Sequence, residues 1–198
     1  MLSKEPTMYT FKFIEPSLLS FGAVLKLIEY YAVQFGANPW EWKVCLPFLQ
    51  LLGDMGGLPR AISYLLEECF GKNFSQGSDF FVNLSKGCLS FYPIFINICN
   101  SVSEKYGLNG FILDNKKASL EVLDHAIHAH PVTRDKMMDK ITLEQMELLG
   151  HVFLHPIDDI FSVLRMPFLF LFLYNRYLQI IPSQLAELAF NHDGKVMW

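Results

Sequence analysis

The stretch that decides the fold is a corner at which a helical apolar run meets two glycines and a second amphipathic helix begins. It reads Leu51-Leu52-Gly53-Asp54-Met55-Gly56-Gly57-Leu58-Pro59-Arg60-Ala61-Ile62-Ser63-Tyr64-Leu65-Leu66-Glu67-Glu68-Cys69. The glycine pair permits a tight turn and a close approach of backbones. Pro59 suits the first turn of a helix, and Arg60 then lies beside a helix N-terminus, which favours anions. The pattern predicts a corner open to a planar base, an anion or a neighbouring domain, with a purely structural corner as the simpler alternative.

The corner also resembles a known signature. Residues 56–62 resemble the GGLP-x-A-I motif in the helical lid of signal-transducing (STAND-type) nucleoside triphosphatases, a branch of the AAA+ ATPases. The arginine after the proline resembles, more narrowly, the Crinkler-type effector proteins of oomycetes and some fungi. Further similar segments are residues 149–154, 163–168, 190–193 and 197–198. The chain is thus similar to the lid and winged-helix part that follows the P-loop core in that family.

The resemblance implies a function that depends on other domains. Gly57, Pro59 and Arg60 would be the nucleotide-sensing residues, and ATP would be the nucleotide once the chain is joined to a P-loop core. The chain would couple nucleotide state to neighbouring domains, as a truncated family member or a gene fragment. The family also implies delivery into a host cell, with the nucleus as one destination. The alternatives are a stand-alone interaction module with an apolar groove and the lid of a retrotransposon-encoded ATPase.

The chemistry of ATP hydrolysis itself is missing from the sequence. It contains no G-x-x-x-x-G-K-[ST] loop to cradle phosphates, and no strand that ends in paired acids to hold magnesium. It offers no recognisable nucleophile–base arrangement either. We therefore assign no catalytic residues and expect no ATP hydrolysis by the isolated chain.

The composition is unusually apolar for a self-contained domain. Hydrophobic residues make up 52% of the 198 residues and charged residues only 18%, against about a quarter in typical domains. The expected partners are therefore the missing P-loop core, another protein domain or a second copy of the chain. The four cysteines lack metal-binding spacing and are interpreted as buried thiols. The apolar runs fall short of the ~20 residues of a membrane span, and no signal peptide is recognised.

The periodicity predicts a mainly α protein in two modules. Residues 1–110 form a helical lid, with a short strand near 9–13, a helix over 40–52 kinked at Pro47, a polar loop over 71–78 and a helix over 92–106. Residues 111–198 form a winged helix–turn–helix with a small β-hairpin. In that module Thr142 caps the second helix, residues 151–154 and 161–165 pair as a hairpin, and an apolar helix follows over 168–178.

Two further functions are disfavoured by the residues. The helix after Thr142 carries Glu144 and Glu147 and no basic residue, and the net charge is −4, so we expect no sequence-specific DNA binding. His125, His128 and His130 suggest a metal site, but Asp124 is expected to face elsewhere. Solvated or partner-facing histidines, and no metal, are the preferred interpretation.

Overall fold

The computed structural model describes residues 18–180 and confirms a mainly helical fold with a small antiparallel β-sheet. The strand expected at 9–13 and the family-like residues 190–193 and 197–198 lie outside the described residues. The elements in chain order are α1 (Phe21–Gln34), α2 (Pro39–Lys43), α3 (Leu46–Asp54), α4 (Pro59–Leu66), a π-helix (Glu67–Asn73), a 3-10 turn (Phe74–Gln76), α5 (Phe80–Ser85), α6 (Tyr92–Tyr106), α7 (Leu108–Asp114), α8 (Lys116–His128), β1 (Pro131–Val132), β2 (Met137–Met138), β3 (Ile141–Thr142), α9 (Leu143–Leu148), β4 (Phe153–Pro156), β5 (Ser162–Arg165) and α10 (Phe168–Leu178).

The single helix predicted over 40–52 is two helices, α2 and α3. The chain leaves the helical conformation at Cys45 (ψ 92°), and Pro47 then lies in the first turn of α3. Proline is tolerated in a first turn but disrupts a helix interior, so the residue expected to kink one helix instead lies in the first turn of a second.

The polar loop predicted over 71–78 is also largely helical. The π-helix continues directly from α4, and the 3-10 turn after it buries the ring of Phe74. Glu68 is buried although glutamates are mostly exposed, and it pairs with Lys72 at 2.5 Å. Aromatic rings hold this segment against the core: the ring centroids of Phe70 and Phe81 are 5.1 Å apart.

The β-hairpin is confirmed, with a small shift in its bounds. β4 and β5 pair antiparallel with Phe153 opposite Arg165, and β1 adds to the other edge of β5, so the strand order is β1-β5-β4. The Asp158 carboxylate accepts the N–H groups of Ile160 and Phe161 and closes the turn. β2 and β3 form a separate two-stranded pair, and Thr142 caps α9 with the predicted capping box.

The apolar helix α10 has the predicted bounds and is central to the core. It contacts α3, α6, α7 and α8. Its buried apolar and aromatic side chains are Leu169, Phe170, Phe172, Leu173 and Tyr174. Each fully buried side chain of this size stabilises the fold by ~1.5–3 kcal/mol. One hydrophobic core thus includes residues from both sides of the predicted boundary, which falls inside α7, and the two-module division stays a prediction.

A membrane-spanning helix needs sufficient length and sufficient hydropathy. Within residues 18–180, every helix is too short or too polar to cross a bilayer.

Candidate functional site

The glycine corner is fixed by two close backbone contacts. Gly57 has φ +78°, and a Cβ built there would lie 2.3 Å from the carbonyl oxygen of Leu19. The Leu19 N–H donates to the Gly57 carbonyl at 2.7 Å. Gly56 has φ +56°, and its Cβ would lie 2.7 Å from the Cβ of Pro167. Only glycine fits both positions, so the corner joins the residues before α1 to the start of α10.

The other two predicted residues lie at the exposed end of the corner. Pro59 is the first residue of α4, and both Pro59 and Arg60 are exposed. Burial raises the pKa of the Tyr106 hydroxyl above its usual value, and the neighbouring Arg60 guanidinium opposes that shift. Arg60 therefore lies against the last residue of α6. The structure brings Gly57, Pro59 and Arg60 together at one end of α4, with the glycine half-buried and the arginine accessible.

An open cleft lies between α4 and α6, one helical turn beyond Arg60. It has a volume of about 350 Å³ and is lined by Tyr64, Ser101, Glu104 and Lys105. An aromatic ring, a hydroxyl and charges of both signs offer stacking and hydrogen-bonding groups. Lys105 supplies a positive charge to this lining and Glu104 a negative one, while Arg60 lies one turn away at the start of α4. This arrangement can accept an anion or a polar planar group at a surface.

Sequence reasoning missed the buried carboxyl group of the corner. Asp54 is 5% exposed; one carboxylate oxygen accepts a hydrogen bond from Gln50 at 2.8 Å, and the other has no hydrogen-bond partner. Burial raises the pKa of Asp54 to about 6, and the Gln50 hydrogen bond only partly opposes it. The available signal was the i,i+4 spacing of Gln50 and Asp54 beside apolar residues. The group therefore titrates close to neutral pH.

The second candidate site is the histidine-rich end of α8, where one prediction is wrong. Asp124 does not face away from the histidines: its carboxylate lies 3.1 Å from Nδ1 of His128 and 3.9 Å from Nδ1 of His130. Asp124 and His128 are four residues apart and therefore share a helix face. His130 reaches the same carboxylate because the chain reverses at Ala129 (φ 51°).

Of the two glutamates on α9, the helix that would read DNA, one is paired with another side chain. Glu147 pairs with Arg134 at 3.2 Å and accepts the N–H of Leu154, whereas Glu144 is exposed. The absence of DNA binding therefore stays a prediction that rests on Glu144 and the missing basic residues. Of the cysteines, Cys45, Cys69 and Cys99 are buried free thiols as expected, but Cys88 is exposed.

Comparisons with known proteins add no relative. No protein-family profile, curated protein or solved structure matches the chain. The functional interpretation therefore depends on the geometry of the corner and on the resemblance of its sequence.

Proposed function

We propose that the chain is a coupling module of a Crinkler-like STAND ATPase, which senses ATP bound to a P-loop core and passes that state to neighbouring domains. The observation that carries the proposal is the glycine corner. Gly56 and Gly57 lock it to α10 and to the segment before α1, while Arg60 stays accessible at its end. A displacement of Arg60 by a phosphate would therefore act on a rigidly connected part of the core.

The second half of the chain supports the same proposal. A winged helix–turn–helix combines a pair of helices with a β-hairpin wing. Here α8 and α9 provide the helices, and β4 and β5 provide the hairpin. β1, which follows α8 in the chain, pairs with the outer edge of β5. The short β2–β3 pair occupies the connection between the helices. We infer a winged-helix module used as an intramolecular switch domain, with a host cell as its place of action.

The test joins this chain to a Walker A core domain of a Crinkler-like protein and measures ATP binding. Arg60→Ala should weaken ATP binding by about 1.5–3 kcal/mol, the range of a hydrogen bond to a charged group, or roughly ten- to 150-fold in Kd. Arg60→Lys should recover only part of the affinity, because a point charge does not reproduce the guanidinium fork. Arg176→Ala, at an exposed arginine of α10 that lies outside the family-like segments, is the matched control and should bind ATP like the parent.

Circular dichroism must first show unchanged helix content in each variant. If the joined protein binds ATP equally well with Arg60→Ala and with the control, Arg60 is a surface residue and the sensing role is wrong. An in-frame Walker A loop upstream in the gene would separately favour this proposal over an isolated module. The lid of a retrotransposon-encoded ATPase would be favoured instead by flanking transposition genes.

A second function, a protein-interaction module, is favoured by one specific observation. Leu27, Tyr30 and Val33 recur every three residues on α1 and are 43%, 64% and 77% exposed. Lys43 pairs with Glu29 at 2.7 Å and places α2 beside α1. Further exposed apolar side chains on the neighbouring segment are Trp40, Val44 and Leu46. We refer to these six exposed side chains together as the α1–α3 apolar residues.

The exposed α1–α3 apolar residues predict association of the isolated chain. Light scattering should show oligomers, and a hydrophobic dye should bind. Val33→Ser together with Tyr30→Ser should reduce both signals, whereas Leu120→Ser, at a 47% exposed residue of α8, should change neither. A monomer that binds no dye would contradict both this alternative and the view that the chain is a fragment whose apolar face is covered by a missing domain.

A further inference from the structure

The C-terminal end of α8 collects two imidazoles and one carboxylate at a single place. Nδ1 of His128 lies 3.1 Å from a carboxylate oxygen of Asp124. Ala129 adopts the left-handed conformation (φ 51°), and the N–H of His130 then donates to the carbonyl of His125 at 3.2 Å. This reversal stacks the ring of His130 on that of His128, with centroids 5.2 Å apart and planes 14° from parallel.

The distances suit a bound metal ion after small side-chain rotations. One ligand atom from each of Asp124, His128 and His130 lies within 4.8 Å of the others. With metal–ligand bonds of ~2 Å, neighbouring ligand atoms of a tetrahedral zinc site are roughly 3.3 Å apart. The side chains of the three residues are 58%, 58% and 53% exposed, so they can close around an ion without disturbing the core.

The electrostatic setting also favours a cation. The cluster lies at the carbonyl end of α8, a 13-residue helix, where the helix dipole places partial negative charge. The Asp124 carboxylate adds a formal negative charge. His125 is left out of the ligand set, because its Nε2 contacts the positively charged Nζ of Lys136 at 2.6 Å. That ammonium opposes a cation at the neighbouring cluster, but only the cluster has a carboxylate among its ligands. Nδ1 of His128 contacts the backbone carbonyl oxygen of Asp124 at 3.0 Å and must release this contact to bind an ion through that nitrogen.

We propose that Asp124, His128 and His130 form a surface binding site for a divalent transition-metal ion, and that the ion is Zn²⁺. Two nitrogen donors and one oxygen donor are a ligand set that zinc accepts, and they leave a fourth position open to water. Calcium and magnesium prefer oxygen ligands throughout and should bind poorly. This site is separate from the glycine corner and does not depend on the function proposed above.

The experiment is a calorimetric titration of the full chain with ZnSO₄ at neutral pH. A Cys88→Ser background removes the exposed thiol as a competing ligand. We expect one ion per chain, with a micromolar dissociation constant, and no comparable heat with MgCl₂. Asp124→Asn, His128→Gln and His130→Gln should each weaken binding by about tenfold or more. His155→Gln, at an exposed histidine on β4, is the matched control and should bind zinc like the background protein.

A second measurement decides the question even if a variant loses helix content by circular dichroism. In the Cys88→Ser background protein, in which the cluster is intact, the imidazole NMR signals of His128 and His130 should shift when zinc is added, while those of His155 stay in place. The proposal is overturned if the background protein binds no zinc, if the three variants bind it unchanged, or if the shifting signals belong to other histidines.

Discussion

The buried carboxyl group of Asp54 makes the stability of this protein depend on pH in an unusual direction. Its pKa is about 6 in the folded protein, against 3.8 for an ordinary aspartate. The folded state therefore holds a proton at pH values where the unfolded chain has lost it. Stability from this group is fully present below about pH 3.8 and is lost as the pH rises through about 6.

The magnitude follows from the same two pKa values. The difference between 6 and 3.8 is about 2.2 pKa units, which corresponds to about 3 kcal/mol of unfolding free energy. About 2 kcal/mol of this change falls between about pH 4.5 and 7.5. Asp54→Asn removes the titration but keeps an oxygen that can accept the Gln50 hydrogen bond. Relative to the parent, the variant should therefore gain about 2 kcal/mol across that range.

The assay is urea unfolding of parent and Asp54→Asn at several pH values, followed by circular dichroism. The quantity to plot is the difference in unfolding free energy between the two proteins, because this difference cancels the titration of groups common to both. In thermal unfolding the same gain corresponds to a relative rise in Tm of roughly 4–8 °C for a chain of this size. A difference that stays constant with pH, or that favours the parent as the pH rises, would refute the burial argument.

The remaining predictions concern the corner and the core. Gly57→Ala should destabilise the fold by about 2–4 kcal/mol in urea unfolding, because it forces a left-handed alanine against the Leu19 carbonyl. Gly53→Ala is its control: Gly53 lies in α3 with open space around it, so alanine should stabilise by about 0.5–1 kcal/mol, and an equal loss at both positions would contradict the reasoning. Burial lowers the pKa of His151, whose Nε2 donates to the Tyr106 carbonyl, so stability should fall as the pH drops below about 6.5. His151→Gln should remove that part of the pH dependence, measured as the difference from the parent, and an unchanged slope would count against it.

Local rules of the chain were enough to predict most helices and the hairpin. The end of α6 at Gly107 and the capping box at Thr142 depend on neighbouring residues only. The bounds of α10 follow from Pro167 and the apolar run after it. The prediction at Pro47 was wrong. A proline after a helical run fits either a kink within one helix or the first turn of a new helix, and the sequence pattern alone does not distinguish the two.

The candidate sites could be predicted from the sequence only in part. The motif placed Gly57, Pro59 and Arg60 at a helix start, and the structure has them there. That the two glycines are required, however, is decided by Leu19 and Pro167, which lie about 38 and 110 residues away along the chain. Contacts at such separations leave no periodic signal in a single sequence.

Charge and ligand geometry were decided by tertiary structure alone. The sequence shows that Asp54 is an acid among apolar residues, but its raised pKa comes from the core that closes over it. Asp124 and His130 meet because of one left-handed residue, Ala129, whose conformation no helical pattern predicts. Backbone periodicity is set by nearest neighbours, whereas desolvation and the meeting of side chains depend on which distant surfaces fold together.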